Sequence, residues 1–348
     1  MTSITFISAL ILTLLAGFIN GSFAAPTKYM DKWKEENIWL VFSFFAFFIF
    51  PWFTFYLFSP TNILFFQYIP GKVIFFAILG GLTFGIGMVF FSLAFKFIGI
   101  GINFVINISM GTAGAALIPL LWEKGLISSI YGLFQITGII IFVFAVLLSI
   151  VAASNRDKNK MKGADKKEDT KLSYLFIGVI FSIIAGVGSI CQGLSYAYAN
   201  PIISELAIQQ GVDNLDASIA TWIIVFTAAG VPYCLYFVFL CCKKKTLNII
   251  FKSSHFKEYF FLFIIMGFSY WGSIVVFSRA SSLIGGKLAP TIAWPLFMVF
   301  IILSSNFWGW ICGEWKNAGS KAIVKIWFSI LLFTLAIIVF SCSASLKP

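Results

Sequence analysis

Long apolar stretches separated by short polar loops make up almost the whole chain. A helix needs roughly 20 apolar residues to cross a hydrocarbon core about 30 Å thick. Ten stretches meet that length, and none has an acidic residue near its middle. The pattern predicts an all-α integral membrane protein with ten transmembrane helices, at residues 4–26, 37–58, 72–96, 99–122, 129–153, 172–199, 217–240, 258–279, 284–312 and 321–343.

The composition argues against a soluble fold and against an enzyme. Hydrophobic residues make up 60% of the 348 residues and charged residues only 11%, whereas soluble domains average about 25% charged residues. The single histidine, His255, falls in a loop, so neither an intramembrane serine protease nor an HExxH metalloprotease fits. The six cysteines contain no CxxC pair. The sequence therefore predicts no catalytic residue, no cofactor and no metal site.

The basic residues indicate an orientation in the membrane. Most of the 24 Lys and Arg residues follow the odd-numbered apolar stretches, and the densest group lies in the loop at residues 154–171. Cytoplasmic loops of membrane proteins carry an excess of Lys and Arg. This distribution predicts that the loop 154–171 is cytoplasmic and that both termini lie on the outer side.

The same basic loop divides the chain into two halves, residues 1–153 and 172–348, with five predicted helices each. Because five is odd, two similar halves must have opposite orientations in the membrane, as in the inverted repeats of secondary transporters. Short similarities support a repeat, since Leu14–Ala24 aligns with Ile183–Gly193 through a shared Ala-Gly pair. We expect two inverted five-helix repeats joined by a basic cytoplasmic linker at 154–171.

Uncharged amides and tryptophans inside the predicted helices are candidates for binding a solute. A polyhydroxylated solute requires hydrogen-bond partners for its hydroxyl groups and flat apolar faces for its ring. Asparagine, glutamine and tryptophan supply both, although the same side chains also serve helix packing and membrane interfaces. Asn103 and Asn107 are four residues apart and share one helix face. The candidate substrate-binding residues are Asn20, Asn103, Asn107, Gln192, Trp222, Trp271, Trp294 and Asn306.

The charged residues at the helix ends are candidates for gating or coupling. The predicted orientation places Lys96 and Glu314 on the cytoplasmic side, and Glu123 and Arg279 on the outer side. We expect Lys96–Glu314 and Arg279–Glu123 ion pairs to close the two ends alternately. The alternative is that all four side chains extend to lipid headgroups without pairing. The tryptophans near helix ends are expected to be interfacial anchors: Trp39, Trp52, Trp308, Trp310 and Trp315.

Several strings resemble the rhamnose–proton symporter family, which belongs to the drug/metabolite transporter superfamily. They include residues 22–39, Ala293–Met298, Asn306–Lys316 and above all the GEWKNAG motif at Gly313–Gly319. The resemblance implies a ten-helix carrier of the bacterial inner membrane that imports a deoxy-sugar with a cation. One position departs from the family, whose members have an acidic residue shortly before the tryptophan that matches Trp294. Pro290 occupies that position here.

The sequence thus predicts a secondary transporter of the bacterial inner membrane that moves a small sugar-like solute, such as rhamnose, by alternating access. The alternative is an exporter or facilitator of another small metabolite or a nucleotide-sugar. Because no helix has a central Asp, Glu or His, proton symport through Glu314, sodium symport and facilitated diffusion stay open. The expected partners are the solute, H+ or Na+, and membrane lipid, with no nucleic acid.

Overall fold

The computed structural model describes residues 3–58, 63–122, 128–161, 168–252, 256–284, 293–344 and 346. Within these ranges the chain is helical and contains no strand. The α-helices are α1 (Ser3–Ser22), α2 (Glu35–Ser43), α3 (Phe50–Phe58), α4 (Gly71–Ile98), α5 (Ile100–Trp122), α6 (Ile130–Met161), α7 (Glu168–Gln209), α8 (Ala217–Lys244), α9 (Leu247–Lys252), α10 (Phe256–Ile284), α11 (Trp294–Ile311) and α12 (Ser320–Ala344). Two short 3-10 helices lie between these elements, Ala25–Tyr29 between α1 and α2 and Ile63–Tyr68 between α3 and α4.

Among the described residues, 7 helical segments are long and apolar enough to cross a membrane. They correspond to α1 with its 3-10 extension, α2 with α3, and α4, α6, α7, α8 and α10. The apolar parts of α5 and α11 are shorter. The prediction of an all-helical membrane protein is therefore confirmed.

A π-helical turn at Phe44–Ile49 joins α2 to α3, so these two helices form one continuous segment. Pro51 lies immediately beyond this turn. Proline has no N–H to donate to the carbonyl group four residues earlier. The wider helical turn is a common way to accommodate such a break in the hydrogen-bond ladder.

Small residues bring α4 close to both α7 and α8. A Cβ atom at Gly85 would collide with the backbone of Ala229 in α8, and one at Gly87 would lie 3.1 Å from the Cα of Gly188 in α7. The helix α1 lies in a similar way between α10 and α11, where a Cβ at Gly17 would collide with α11. Close approach of backbones through small residues is the usual basis of helix packing in membranes.

Several helix bounds differ from the predicted ones. The α-helix α1 ends at Ser22, earlier than expected, and α7 continues to Gln209, past Pro201. The predicted linker at 154–171 is largely helical, because α6 extends to Met161 and α7 begins at Glu168. A polar composition does not by itself end a helix, since Lys, Arg and Met favour helical geometry and Ser, Asn and Asp are only moderately unfavourable. The residues 285–292, which include Pro290, lie outside the described residues.

Buried aromatic rings fill the centre of the bundle. The ring centroid of Tyr270 in α10 lies 4.7 Å from that of Phe23, 5.6 Å from that of Phe42 and 5.5 Å from that of Phe226. These rings come from three different apolar segments and from the end of α1. The centre is therefore apolar and aromatic, and the polar candidates lie around it.

Candidate functional site

The two asparagines of α5 both contact α7. The Nδ2 atom of Asn103 donates to the Phe91 carbonyl at 2.7 Å, and the Ser182 hydroxyl donates to Asn103 Oδ1 at 2.7 Å. The Ser189 hydroxyl donates to Asn107 Oδ1 at 3.3 Å, while the buried Nδ2 of Asn107 makes no hydrogen bond within the described part of the chain. The shared helix face is confirmed. Its amides join α5 to α7 in the way that packing contacts do.

Asn20 and Asn306 lie in different surroundings. The Nδ2 atom of Asn20 donates to the hydroxyl of Ser273 in α10 at 2.8 Å, beside the central aromatic rings. Asn306 bonds within its own helix, and its Oδ1 faces Gly101 near the start of α5. Asn20 therefore lies near the centre of the bundle, whereas Asn306 lies toward one end.

The structure brings Trp222 and Trp271 to the same aromatic ring. The ring centroid of Phe226 lies 5.8 Å from that of Trp222 and 5.1 Å from that of Trp271. The indole N–H of Trp271 donates to the hydroxyl of Thr54 at 2.8 Å. Trp222 instead stacks on Tyr196 of α7 with ring centroids 4.0 Å apart. Two tryptophans predicted as ring-binding residues thus share one cluster.

Gln192 lies near this cluster and Trp294 does not. Gln192 precedes Tyr196 by one helical turn on α7, is half-buried and makes no hydrogen bond with the described residues. Trp294 is the first residue of α11 and packs on Phe277 with centroids 5.6 Å apart. Of the eight predicted binding residues, Asn20, Trp222 and Trp271 therefore lie at or beside the central aromatic rings, and Gln192 lies one helical turn from Tyr196.

Glu314 contacts the start of α5. Its Oε1 accepts a hydrogen bond from the backbone N–H of Ile100 at 2.7 Å and lies 3.5 Å from Lys28 Nζ, and its side chain is 9% exposed. A carboxylate at a helix N-terminus interacts favourably with unpaired N–H groups and the helix dipole. The predicted Lys96–Glu314 pair is not formed in this structure, because Glu314 binds these partners while the exposed Lys96 lies over the ring of Phe97, with Nζ 4.9 Å from its centroid.

Arg156 faces the end of α4 at the same place. Its guanidinium lies 5.3 Å from the ring centre of Trp315, and its Nη1 lies 3.5 Å from the Ile98 carbonyl. Between α4 and α5, Gly99 has a φ of 82°, which favours glycine. Opposite charges thus face the two helix ends at this joint.

The prediction of Trp39 and Trp315 as interfacial anchors is wrong, since each is only 4% exposed.

A further ion pair lies at this end of the bundle, which we call the Glu314 end. Lys244 at the end of α8 pairs with Glu36 at 3.0 Å, and the Thr246 hydroxyl donates to the same carboxylate at 3.2 Å. The Glu36 side chain is only 4% exposed. Buried carboxylates require such partners.

The opposite end, which we call the Arg279 end, has a bidentate ion pair. Arg279 Nε lies 2.6 Å from Asp216 Oδ1, and Nη2 lies 2.9 Å from Oδ2. Glu123, the predicted partner of Arg279, lies outside the described residues. Sequence reasoning missed Asp216 because it looked for a partner at the symmetry-related position. A simpler sequence feature would have indicated Asp216. It directly precedes α8, at the same end of the bundle as Arg279.

The apolar helical bundle, with charged side chains at the ends of its described helices, is typical of a multi-pass membrane protein. The family model of the L-rhamnose-proton symport protein (RhaT) matches residues 2–345, and the chain belongs to this family. The family is one of transporters and not of enzymes. It favours sugar transport over the alternative of metabolite or nucleotide-sugar export.

Curated relatives match along most of their length. The chain is 26% identical to the L-rhamnose-proton symporter of Cronobacter sakazakii, with 86% of this chain and 87% of the relative covered. It is 25% identical to that of Escherichia coli strain ATCC 8739, over 87% and 88% of the two chains. It is 22% identical to that of Mannheimia succiniciproducens, over 90% and 91%. No solved structure matches the chain.

Proposed function

We propose that the protein imports L-rhamnose, or a closely related deoxy-sugar, together with a proton across the bacterial inner membrane. The observation that carries this proposal is the family match, which spans nearly the whole chain. The interior suits a neutral solute, because its polar groups are amides, hydroxyls and indoles around buried aromatic rings. A sugar ring requires this combination of flat apolar faces and a few placed hydrogen-bond partners.

The solute path runs through the centre of the bundle, with Asn20, Gln192, Trp222 and Trp271 as the foremost binding residues. These four lie around the central aromatic rings, so they are placed to contact a solute midway through the bundle. Of the remaining candidates, Asn103, Asn107 and Trp294 contact neighbouring helices and Asn306 bonds within its own helix, so all four meet the solute only if these contacts break during transport.

Ten helices form two inverted repeats, residues 1–153 and 172–348, joined by the basic linker 154–171. The helix contacts support this arrangement, because exchanging the halves maps several major contacts onto one another, although within the described residues the contact of α7 with α8 has no such counterpart. The contact of α4 with α7 corresponds to that of α10 with α1, and the contact of α5 with α7 corresponds to that of α11 with α1. The extensive contact between α6 and α12 maps onto itself. Two such halves rocking against each other give alternating access.

The Glu314 end faces the cytoplasm, and both termini face outward. The excess of Lys and Arg after the odd-numbered helices supports this orientation. Glu314, with Lys28 and Arg156, closes the cytoplasmic end. Arg279 and Asp216 close the outer end, where Glu123 stays a further predicted partner.

Glu314 is the candidate proton carrier. Glu123 and Glu314 are the two acids predicted at helix ends, and Glu314 is the one that the structure describes. Its carboxylate binds the start of α5, which must move when the cytoplasmic end opens. Protonation of the carboxylate would weaken both its bond to Ile100 and its attraction to Lys28. Proton release into the cytoplasm would then restore the closed end and complete a symport cycle.

The purified protein in proteoliposomes tests this function. With an inward proton gradient, labelled L-rhamnose should accumulate above the external concentration, and a protonophore should abolish the accumulation. Accumulation driven by sodium alone would overturn the proton as the coupling ion. Absence of L-rhamnose uptake under both gradients would overturn the substrate.

A further inference from the structure

The two related three-helix junctions of the bundle differ in how their polar groups are satisfied. At the junction of α1, α3 and α10, the buried amide and indole donors are bonded: Asn20 to Ser273 and Trp271 to Thr54. At the corresponding junction of α4, α7 and α8, the buried indole N–H of Trp222 and the hydroxyl of Ser218 make no hydrogen bond within the described part of the chain. Folded proteins seldom leave buried donors without partners. The unpaired donors at one junction therefore point to a ligand there.

Tyr196 covers the flat face of Trp222 at this second junction. The two rings lie 4.0 Å apart at 19°, and the Tyr196 hydroxyl faces Ser218 and the indole without a hydrogen bond of good geometry. Gln192 lies one turn away on the same face of α7. A Cβ atom at Gly193 would meet no atom within 4 Å, so there is open space beside this face.

These groups match the chemistry of a neutral pyranose. The indole supplies a flat apolar face and one N–H donor, while serine and glutamine can each donate and accept hydrogen bonds. The nearest charged side chains on α8 and α10, Asp216 and Arg279, neutralise each other. A neutral polyhydroxylated ring therefore finds partners here, and an ionised ligand finds no opposite charge.

We propose that Gln192, Ser218 and Trp222 form the subsite that binds the sugar ring, and that Tyr196 must turn away from Trp222 for the ring to stack there. This proposal rests on the proposed sugar transport and gives it a location. Because Tyr196 competes for the same indole face, its removal should strengthen sugar binding.

Variants at Trp222 test the subsite. The full-length protein is purified, and L-rhamnose binding is measured by calorimetry alongside uptake in proteoliposomes. We expect W222F, which keeps an apolar ring but removes the N–H donor, to raise Kd and KM roughly tenfold, the loss of one good hydrogen bond. W222A should raise them further. The matched control is W327F on α12, where the side chain is 49% exposed and should leave both constants unchanged.

Variants at Tyr196 and Ser218 separate binding from structure. Y196A should bind L-rhamnose a few-fold more tightly, whereas a merely structural tyrosine would weaken binding when removed. S218A removes little volume and should also weaken L-rhamnose binding. It therefore tests the subsite even if W222A fails to fold. Wild-type Kd and KM in W222F and S218A would overturn the subsite and leave sugar transport intact. Failure of the wild-type protein to bind or transport any sugar would overturn the transport function and the subsite together.

Discussion

The two ends of the bundle are closed by different kinds of contact. At the Glu314 end, charged side chains act on the backbone, since Glu314 and Arg156 face the two helix ends that meet at Gly99. At the Arg279 end, the contact within the described residues joins two side chains, Arg279 and Asp216. The first arrangement fixes where helices end and begin, whereas the second can break without altering any helix.

This difference has an energetic consequence. The two ion pairs themselves are equally exposed, since the Arg279 and Asp216 side chains are 40% and 9% exposed and those of Lys28 and Glu314 are 39% and 9% exposed. The Glu314 side chain is 9% exposed and bonds a backbone N–H that would otherwise lack a partner. Opening the Glu314 end therefore also leaves a helix N–H without its partner, and a proton on Glu314 would lower that cost.

The largest effect is expected from a substitution at the α4–α5 joint. G99A should lower the folded yield sharply, because a φ of 82° is strained for alanine and the new Cβ would fall within 3 Å of the Glu314 carboxylate. Such strain costs about 1–3 kcal/mol before the collision is counted. Thermal unfolding in detergent measures the loss. The control is G71A at the start of α4, where a Cβ meets nothing within 4 Å. Equal stability of G99A and G71A would contradict the importance of this joint.

The next largest effect is expected from neutralising Glu314. E314Q keeps the side-chain shape but removes the charge, so we expect proton-driven accumulation of L-rhamnose to fall by roughly tenfold or more. Loss of a charge-assisted hydrogen bond costs about 1.5–3 kcal/mol. Counterflow exchange, which needs no net proton movement, should be reduced much less. The matched control is E35Q at the exposed start of α2. Full accumulation by E314Q would show that coupling lies elsewhere.

Much of the fold could be predicted from the sequence, because membrane helices follow directly from the length of apolar stretches. Residue type alone selected Trp222 and Trp271, which lie near the centre, but it also selected Trp294, which does not. The contacts that Glu314 and Arg279 make at the two ends of the bundle could not be predicted in this way. Glu314 binds a backbone N–H, and no pattern of side chains reveals a backbone partner. Likewise, nothing local in the sequence marks Thr54 as the partner of Trp271, since 217 positions separate them.

At the Arg279 end, exchanging the charges distinguishes a specific pair from general surface charge. R279D and D216R should each reduce uptake several-fold, since each places two like charges together in a partly buried site. The double exchange should recover at least half of the lost uptake if the two side chains serve as a pair. The measurement is initial uptake rate in proteoliposomes. A double variant no better than either single one would contradict pairing at this end.

The smallest effect concerns Cys312, which reports on the charge of Glu314. Burial raises the pKa of the Cys312 thiol, the nearby Glu314 carboxylate raises it further, and Lys28 lowers it. In a variant that keeps Cys312 as its only cysteine, E314Q should therefore lower the thiol pKa and K28Q should raise it. Because the thiolate is the reactive form, the pH profile of maleimide labelling should move to lower pH in E314Q, with a roughly twofold faster rate near neutral pH. The profile should move to higher pH in K28Q. An unchanged labelling profile in E314Q would contradict the electrostatic contact between the Glu314 carboxylate and the Cys312 thiol.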